Sequence, residues 1–368
     1  MSLSCDKLEM EIAESMPESE QVKFRAVPLG EITRDVMRDP SELLRHRFLC
    51  RGGAAMLIGP TGIGKSSFIM QAAILWSLGK SFFGVEPARP LTSLIVQAEN
   101  DDGDLAEMRD GIFAGLNLSD EEKQLANDRV FIYCENSKTG EGLVSEVLRP
   151  LLREHQPDLL WLDHLFAYSG CNVSDQERIS LFLRGLLNPL ISDFQCGLFI
   201  GHHTNKPHSG DEKPERSVND SAYLGAGSAE LANWPRAVLS IRALKVQGVF
   251  ELVVGKRGGR LRWTDASDQP TCRKTIAHSQ DGIIYWREAS SNEGAATTKK
   301  KPTKYDVQQL LVPRQELTKE ALISKANNLM GINKAKGFIA ELVGDGVLRV
   351  IEKPRPRTNP EIFLERVL

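Results

Sequence analysis

The sequence predicts an α/β protein: a mainly parallel β-sheet flanked by helices, followed by a small C-terminal domain of helices and a β-hairpin. Three observations carry that expectation. Short, nearly continuous apolar runs alternate with segments of helical spacing, as strands buried on both faces of a parallel sheet require. The stretch "GPTGIGKS" (59–66) lies between one such run and one such helical segment. A small, polar, basic stretch, "SSNEGAATTKKKPTK" (290–304), then separates this pattern from a shorter second one.

The elements follow in order. Residues 1–40 are polar and poorly patterned, which predicts a flexible arm. "SELLRHRFL" (41–49) reads as a helical turn leading into the core, and "AAMLIGP" (54–60) as a buried strand. "KSSFIMQAAILWSLG" (65–79) has helical spacing with Gly79 at its stop. The next strand is "TSLIVQAEN" (92–100), then a helix over 102–116 and a strand at "RVFIYCE" (129–135). A helix over 142–155 feeds the strand "DLLWLD", and a helix over 176–194 feeds "GLFIGHH" (197–203). Further strands are expected at 236–244, 249–256 and 282–289. These place a first domain at 41–290, a linker at 291–304 and a second domain at 305–368. The second domain reads as three short helices, a strand "VLRVIE", a basic turn "KPRPRTNP" and a strand "EIFLERVL". That order describes a winged helix, a helix-turn-helix variant; a generic helical cap is the alternative.

Composition sets bounds on function. With 368 residues, 41% hydrophobic and 26% charged, the chain has the material for a sizeable soluble core. Its net charge of −3 hides an asymmetry, because residues 1–42 carry ten Asp/Glu against five Lys/Arg and residues 296–368 carry fourteen Lys/Arg against eight Asp/Glu. A basic tail suits a polyanion, or is simply a solvated face. The six cysteines form no CxxC pair, so neither a zinc site nor a disulfide framework is signalled. The N-terminus is too acidic for a signal peptide, and no apolar run approaches the roughly 18 residues that span a bilayer. A cytoplasmic protein without membrane contact is expected.

The chemistry begins at "GPTGIGKS", which matches G-x-x-x-x-G-K-[ST] between a strand and a helix, the context of a phosphate-binding P-loop. Gly59, Pro60, Thr61, Gly62, Ile63, Gly64, Lys65, Ser66 and Ser67 are the expected nucleotide contacts. The glycines turn backbone N–H groups inward, and the helix N-terminus adds its dipole. Lys65 would reach the β- and γ-phosphates, and Ser66 would hold Mg²⁺ with Asp163, which ends a buried strand downstream. ATP and Mg²⁺ are the implied ligands. Many ATPases follow that aspartate with a glutamate, but here His164 follows. Glu99 ends the strand after the P-loop helix, and parallel strands emerge on one edge, so Glu99 is placed to orient the attacking water. Asp101 and Asp102 read as helix-start residues.

"GPTGIGKSSFIMQAAILWSLGKSFFGVEPARPLTSLIVQAEND", "PDLLWLDHL" and "GLFIGHHTNKP" together resemble the RecA-like ATPases of the RepA-type hexameric replicative helicases of plasmids and phages, over about residues 40 to 260. The resemblance implies that Glu99 is the catalytic glutamate and that His203, with His202 as the alternative, senses the γ-phosphate. It implies that loops 168–178 and 206–222 hold single-stranded DNA in a channel, with Lys206, Lys213 and Arg216 on phosphates and Tyr168 and Tyr223 as the only aromatics at hand. "ELVVGKRGGRLRW" (251–263) is similar to the motif that sends a lysine and an arginine finger, here Lys256 and Arg257, into a neighbouring subunit. The relatives often separate those two by one residue, so Arg260 stays open as the finger. The implied protein is a homo-oligomeric ring, expected to be a hexamer, that unwinds DNA; duplex contact through the C-terminal domain is a further expectation. The alternatives are an ATP-regulated replication initiator or regulator, and a recombination or repair filament protein without unwinding activity.

Overall fold

The computed structural model describes residues 26–35, 39–204, 225, 227–279, 282–290, 293, 303–311, 316–355 and 358–367. The first core element is an antiparallel hairpin, β1 (Glu42–Leu44) and β2 (Leu49–Cys50). The helical turn expected over 41–49 is therefore not formed. Arg45 N–H donates to Glu86 O and Ala88 N–H to Leu43 O, so the hairpin also pairs with 86–88 and its backbone is extended, not helical. Extended backbone also lets Leu43, Leu44, Phe48 and Leu49 all reach the core.

Six strands run parallel: β3 (Ala54–Gly59), β4 (Ser93–Gln97), β5 (Val130–Cys134), β6 (Leu159–Asp163), β7 (Gly197–His203) and β8 (Ala237–Ala243). Their spatial order is β8-β3-β7-β6-β4-β5. Three antiparallel strands extend the sheet beyond β8: β9 (Val249–Lys256), β10 (Arg273–His278) and β11 (Trp286–Glu288). The strand expected over 282–289 is thus only three residues long, and its partner β10 has too polar a sequence, "RKTIAH", to read as a buried strand.

The parallel strands read as continuous apolar runs because both faces are covered. Ala55, Leu57, Ile95, Trp161 and Phe199 face one core, whereas Met56, Ile58, Leu94, Val96, Leu160, Leu162 and Ile200 face the other. On the first face lies α1 (Lys65–Ser77), with every residue from Ser67 to Ser77 buried. A helix apolar all round must be enclosed, and the sheet wraps its inner side as far as β11, where Gln71 exchanges hydrogen bonds with the Trp286 backbone. Trp76, Trp161 and Phe199 stack in its core with centroids 4.5–5.6 Å apart. Outside α1 pack α2 (Asp102–Leu116) and α3 (Asp120–Arg129), the latter opened by a Ser119/Glu122 capping box.

The second face carries α4 (Gly140–Gly142, Leu143–Leu148 and Arg149–His155), the single-turn α5 (Leu165–Tyr168) and α6 (Gln176–Ser180, Leu181–Leu187 and Asn188–Asp193). Both long helices widen into a π-type turn before a proline, Pro150 or Pro189. Proline cannot donate to the carbonyl four residues back, and the wide turn absorbs that missing bond. The short α7 (Glu230–Asn233) precedes β8.

Residues 303–367 hold α8 (Lys304–Gln308), β12 (Glu316–Thr318), α9 (Lys319–Met330), α10 (Ile332–Gly344), β13 (Leu348–Arg355) and β14 (Thr358–Arg366). The strands form an antiparallel sheet, β12-β14-β13, over a core of Val307, Leu322, Ala326, Ile339, Leu342 and Leu364. Gly331 at φ +81° joins α9 to α10, a conformation that favours glycine. Among the described residues no helix is long and apolar enough to cross a membrane. Lys206, Lys213, Arg216 and Tyr223 lie outside the described residues.

Candidate nucleotide site

Strand register gathers the chemistry at one sheet edge. Gly59, the last residue of β3, pairs with His203 of β7, and Gln97 of β4 pairs with Asp163 of β6. From Gly59 the chain turns through Pro60 to Gly64, with Gly62 at φ +76° and Gly64 at φ +85°, and enters α1 at Lys65. The left-handed glycines let the backbone N–H groups point at a common centre. Ser67 contributes only its backbone there. Its hydroxyl donates to Gly64 O at 2.8 Å and accepts from Trp286 Nε1 at 3.1 Å.

Lys65 folds back over this loop. Its Nζ donates to Pro60 O at 2.8 Å and Gly59 O at 3.2 Å, and meets His203 Nδ1 at 2.9 Å. Burial lowers its pKa, while the charges of Asp163 and Glu99 oppose that. Asp163 is itself buried, and burial pushes its carboxyl up against the pull of the Ser66 hydroxyl, His164 and Lys65. Gly201 on β7 is what admits this carboxylate: a Cβ there would stand 2.9 Å from Asp163 Oδ1. Mg²⁺ fits this donor set, because Ser66 and Asp163 are hard oxygen donors already hydrogen-bonded to each other, and a buried carboxylate is stabilised by a cation. When bound with ATP, Mg²⁺ would neutralise charge on the phosphates.

Glu99 lies in the turn that leaves β4. The buried Gln97 side chain braces that turn, accepting from Glu99 N–H at 3.1 Å and Asn100 N–H at 2.8 Å and donating to Asn100 O at 2.8 Å. Asp101 then caps α2 by accepting from Asp104 N–H, the helix-start role its position implies. The Glu99 side chain reaches across to His164, with Oε1 2.8 Å from Nε2. His203 also meets Thr61 Oγ1 at 3.3 Å, and burial first, then the Lys65 charge, lowers its pKa to about 4. His202, the alternative sensor, is fully buried, stacks on Phe166 and lies under Gly225. Tyr168 is fully buried too, its hydroxyl donating to Glu135 O, so it cannot stack on a base. Phe166 is the exposed aromatic of that segment.

Two groups that local sequence does not flag close the site from the far end of the sheet. His278 Nε2 lies 3.1 Å from Ile63 O, and Trp286 Nε1 donates to Gly64 O at 3.3 Å. The β10–β11 hairpin thus braces the P-loop through two of its carbonyls. The single hint is a tryptophan in "GIIYWREA", whose ring N–H needs a buried partner. Trp286→Phe keeps most of the volume and removes both hydrogen bonds. About 1 kcal/mol of P-loop order is at stake, so binding of a fluorescent ATP analogue should weaken about fivefold. Unchanged affinity with a lowered melting temperature would make the contact purely structural.

Lys256, Arg257 and Arg260 are not part of this cluster. β9 runs antiparallel to β8, and Lys256 pairs with Val238, which is level with Met56 near the start of β3. The three cations therefore leave the sheet at the edge opposite the P-loop. Lys256 Nζ donates to Ala232 O, Asn233 O and Pro235 O at 2.7–3.1 Å, and burial lowers its pKa. Arg257 donates to Arg47 O at 2.7 Å and Phe48 O at 3.3 Å, and Arg260 to His46 O at 3.0 Å.

Comparison with known proteins adds the family. No curated protein matches the chain. Among solved structures, the ATPase domain of G40P is 11% identical, with 79% of this chain and 100% of that one covered at a TM-score of 0.44. The RadB recombinase is 11% identical, with 65% and 92% covered at a TM-score of 0.41. The family described as AAA domain matches residues 18–209, more than half of the chain, a span that holds the P-loop, Glu99, Asp163 and His203. The chain therefore belongs to the AAA domain family, as an ATPase built on a P-loop.

Proposed function

We propose that the protein is an ATP-driven translocase on single-stranded DNA, a replicative helicase of the RepA type that works as a ring of identical copies. The observation that carries this reading is the position of Glu99. The carboxylate read as orienting water follows the strand that neighbours Asp163's, and does not come directly after Asp163 in sequence, which is the arrangement of the helicases the sequence resembles. In this reading Lys65 and the P-loop hold the ATP phosphates, and Glu99 accepts the proton of the attacking water. His203, neutral and bonded to Lys65, responds to loss of the γ-phosphate. Lys256 and Arg257 act on the nucleotide of the next copy, since they leave the sheet at the edge away from their own. The segment 164–178 faces the DNA channel, with Phe166 replacing Tyr168 as the aromatic that can stack on a base.

A second reading gives the C-terminal unit the leading role: a winged helix that reads duplex DNA while ATP controls assembly. It is favoured by α10, whose Asn333, Lys334 and Lys336 are exposed on one side. The wing is a weaker basis, because Arg349, Lys353 and Arg355 pair with Glu365, Glu316 and Glu361. Those ion pairs withhold charge that a phosphate backbone would need.

The test is ATP-driven unwinding of a forked duplex, with Glu99→Gln as control. Strand separation by the wild type and none by the variant is the expected result. ATP turnover stimulated by single strands without unwinding would point instead to a filament protein. Sequence-specific duplex binding that survives in the variant, with no unwinding, would put the regulator first.

A further inference from the structure

We propose that His164 is the positioning residue of Glu99, the group that aims its carboxylate at the attacking water. The inference rests on the reading of Glu99 as the water-orienting carboxylate. It answers what a histidine does at the place where other ATPases carry the catalytic glutamate itself.

The two partners differ in freedom. Glu99 is on a turn, and its side chain is 68% exposed. Gln97 fixes the backbone of that turn but not the side chain. His164 is 12% exposed. Its ring is set edge-on against His203, with centroids 4.4 Å apart and planes at 64°, and against Phe166 at 6.5 Å. A packed ring is thus the anchor and an exposed carboxylate the group being anchored. Side chains left to solvent sample several rotamers, and a catalytic base needs one.

The hydrogen bond is of the right kind. His164 Nε2 donates to Glu99 Oε1. Nδ1 is buried and meets no hydrogen-bond partner among the described residues. Folding alone does not favour a buried ring nitrogen without a partner. Glu99 Oε2 has no hydrogen bond among the described residues. The carboxylate is therefore held by one oxygen and presents the other, the one that takes the water's proton. His164 also stands in a continuous row, Glu99–His164–His203–Lys65, whose last member is the lysine of the P-loop.

The test separates aiming from folding. His164→Ala should lower kcat about 10- to 100-fold, the cost of a misplaced catalytic group. KM for ATP and affinity for a non-hydrolysable ATP analogue should stay at wild-type values, while loss of the packed ring lowers the melting temperature modestly. His164→Gln, which restores an N–H donor at similar reach, should recover most of the loss, and His164→Leu should not. In a Glu99→Gln background His164→Ala should add nothing. Wild-type kcat in His164→Ala would overturn the proposal, and so would equal losses in the Gln and Leu variants. Full turnover by Glu99→Gln alone would instead remove the reading of Glu99 on which the proposal stands.

Discussion

Glu99→Gln is expected to reduce ATP turnover by about 10²- to 10⁴-fold, the range for losing a general base, while nucleotide binding persists. The substitution keeps the shape and the hydrogen-bonding reach to His164 Nε2, so the turn braced by Gln97 should not move. What it removes is the negative charge and the proton acceptor. Binding depends on a different set of groups: the backbone of Gly62 and Gly64, Lys65, and the Ser66–Asp163 pair, none of which bonds Glu99. Glu99 does add to the field that keeps Lys65 charged against its burial, so the amide should leave Lys65 slightly easier to deprotonate. The measurement is a steady-state ATPase assay beside a binding titration with a fluorescent ATP analogue. Turnover at the wild-type rate would remove Glu99 from the mechanism and return the question of the base to Asp101 or Asp102.

The parts of this site that could be read from sequence share one property: each is a residue type at the end of an apolar run. Gly59, Glu99, Asp163 and His203 all follow strands, and a parallel sheet brings all such ends to one edge, so order along the chain was enough to gather them. The P-loop adds a pattern dense enough to stand alone. The residues that were not legible depend on geometry between distant elements. His164 could be excluded as a replacement for glutamate, but its bond to Glu99 depends on the register of β4 beside β6. Trp286 and His278 reach Ile63 and Gly64 only because three antiparallel strands carry the sheet around α1. The hairpin at 42–50 was misread for a related reason. Its apolar residues are clustered, not alternating, and its extended form is held by bonds to Glu86 and Ala88 more than thirty-five residues away. Tyr168 failed as a stacking aromatic because sequence shows an aromatic in a loop, not which way it faces.

Arg257→Ala should cost about 10³- to 10⁵-fold in turnover, the worth of an arginine finger, and the loss should be repaired by a partner that is itself dead. In one chain Arg257 leaves the sheet at the edge opposite Lys65 and donates to Arg47 O and Phe48 O, so it cannot serve its own nucleotide. If it serves the next copy, each site combines one protomer's P-loop with another's finger. An Arg257→Ala protomer keeps a sound P-loop, and a Lys65→Ala protomer keeps a sound finger. Mixing the two creates some interfaces where both halves are intact, and ATPase activity should reappear with a maximum at intermediate ratios. The rival account is that Arg257 only ties the 46–48 turn to the sheet, and its two carbonyl bonds make that account concrete. It predicts a lower melting temperature for Arg257→Ala and no gain on mixing at any ratio. Arg260 bonds the neighbouring His46 O, so the same experiment with Arg260→Ala decides which of the two arginines crosses the interface. Activity regained with one and not the other names the finger, because a turn held by both bonds would suffer alike from either loss.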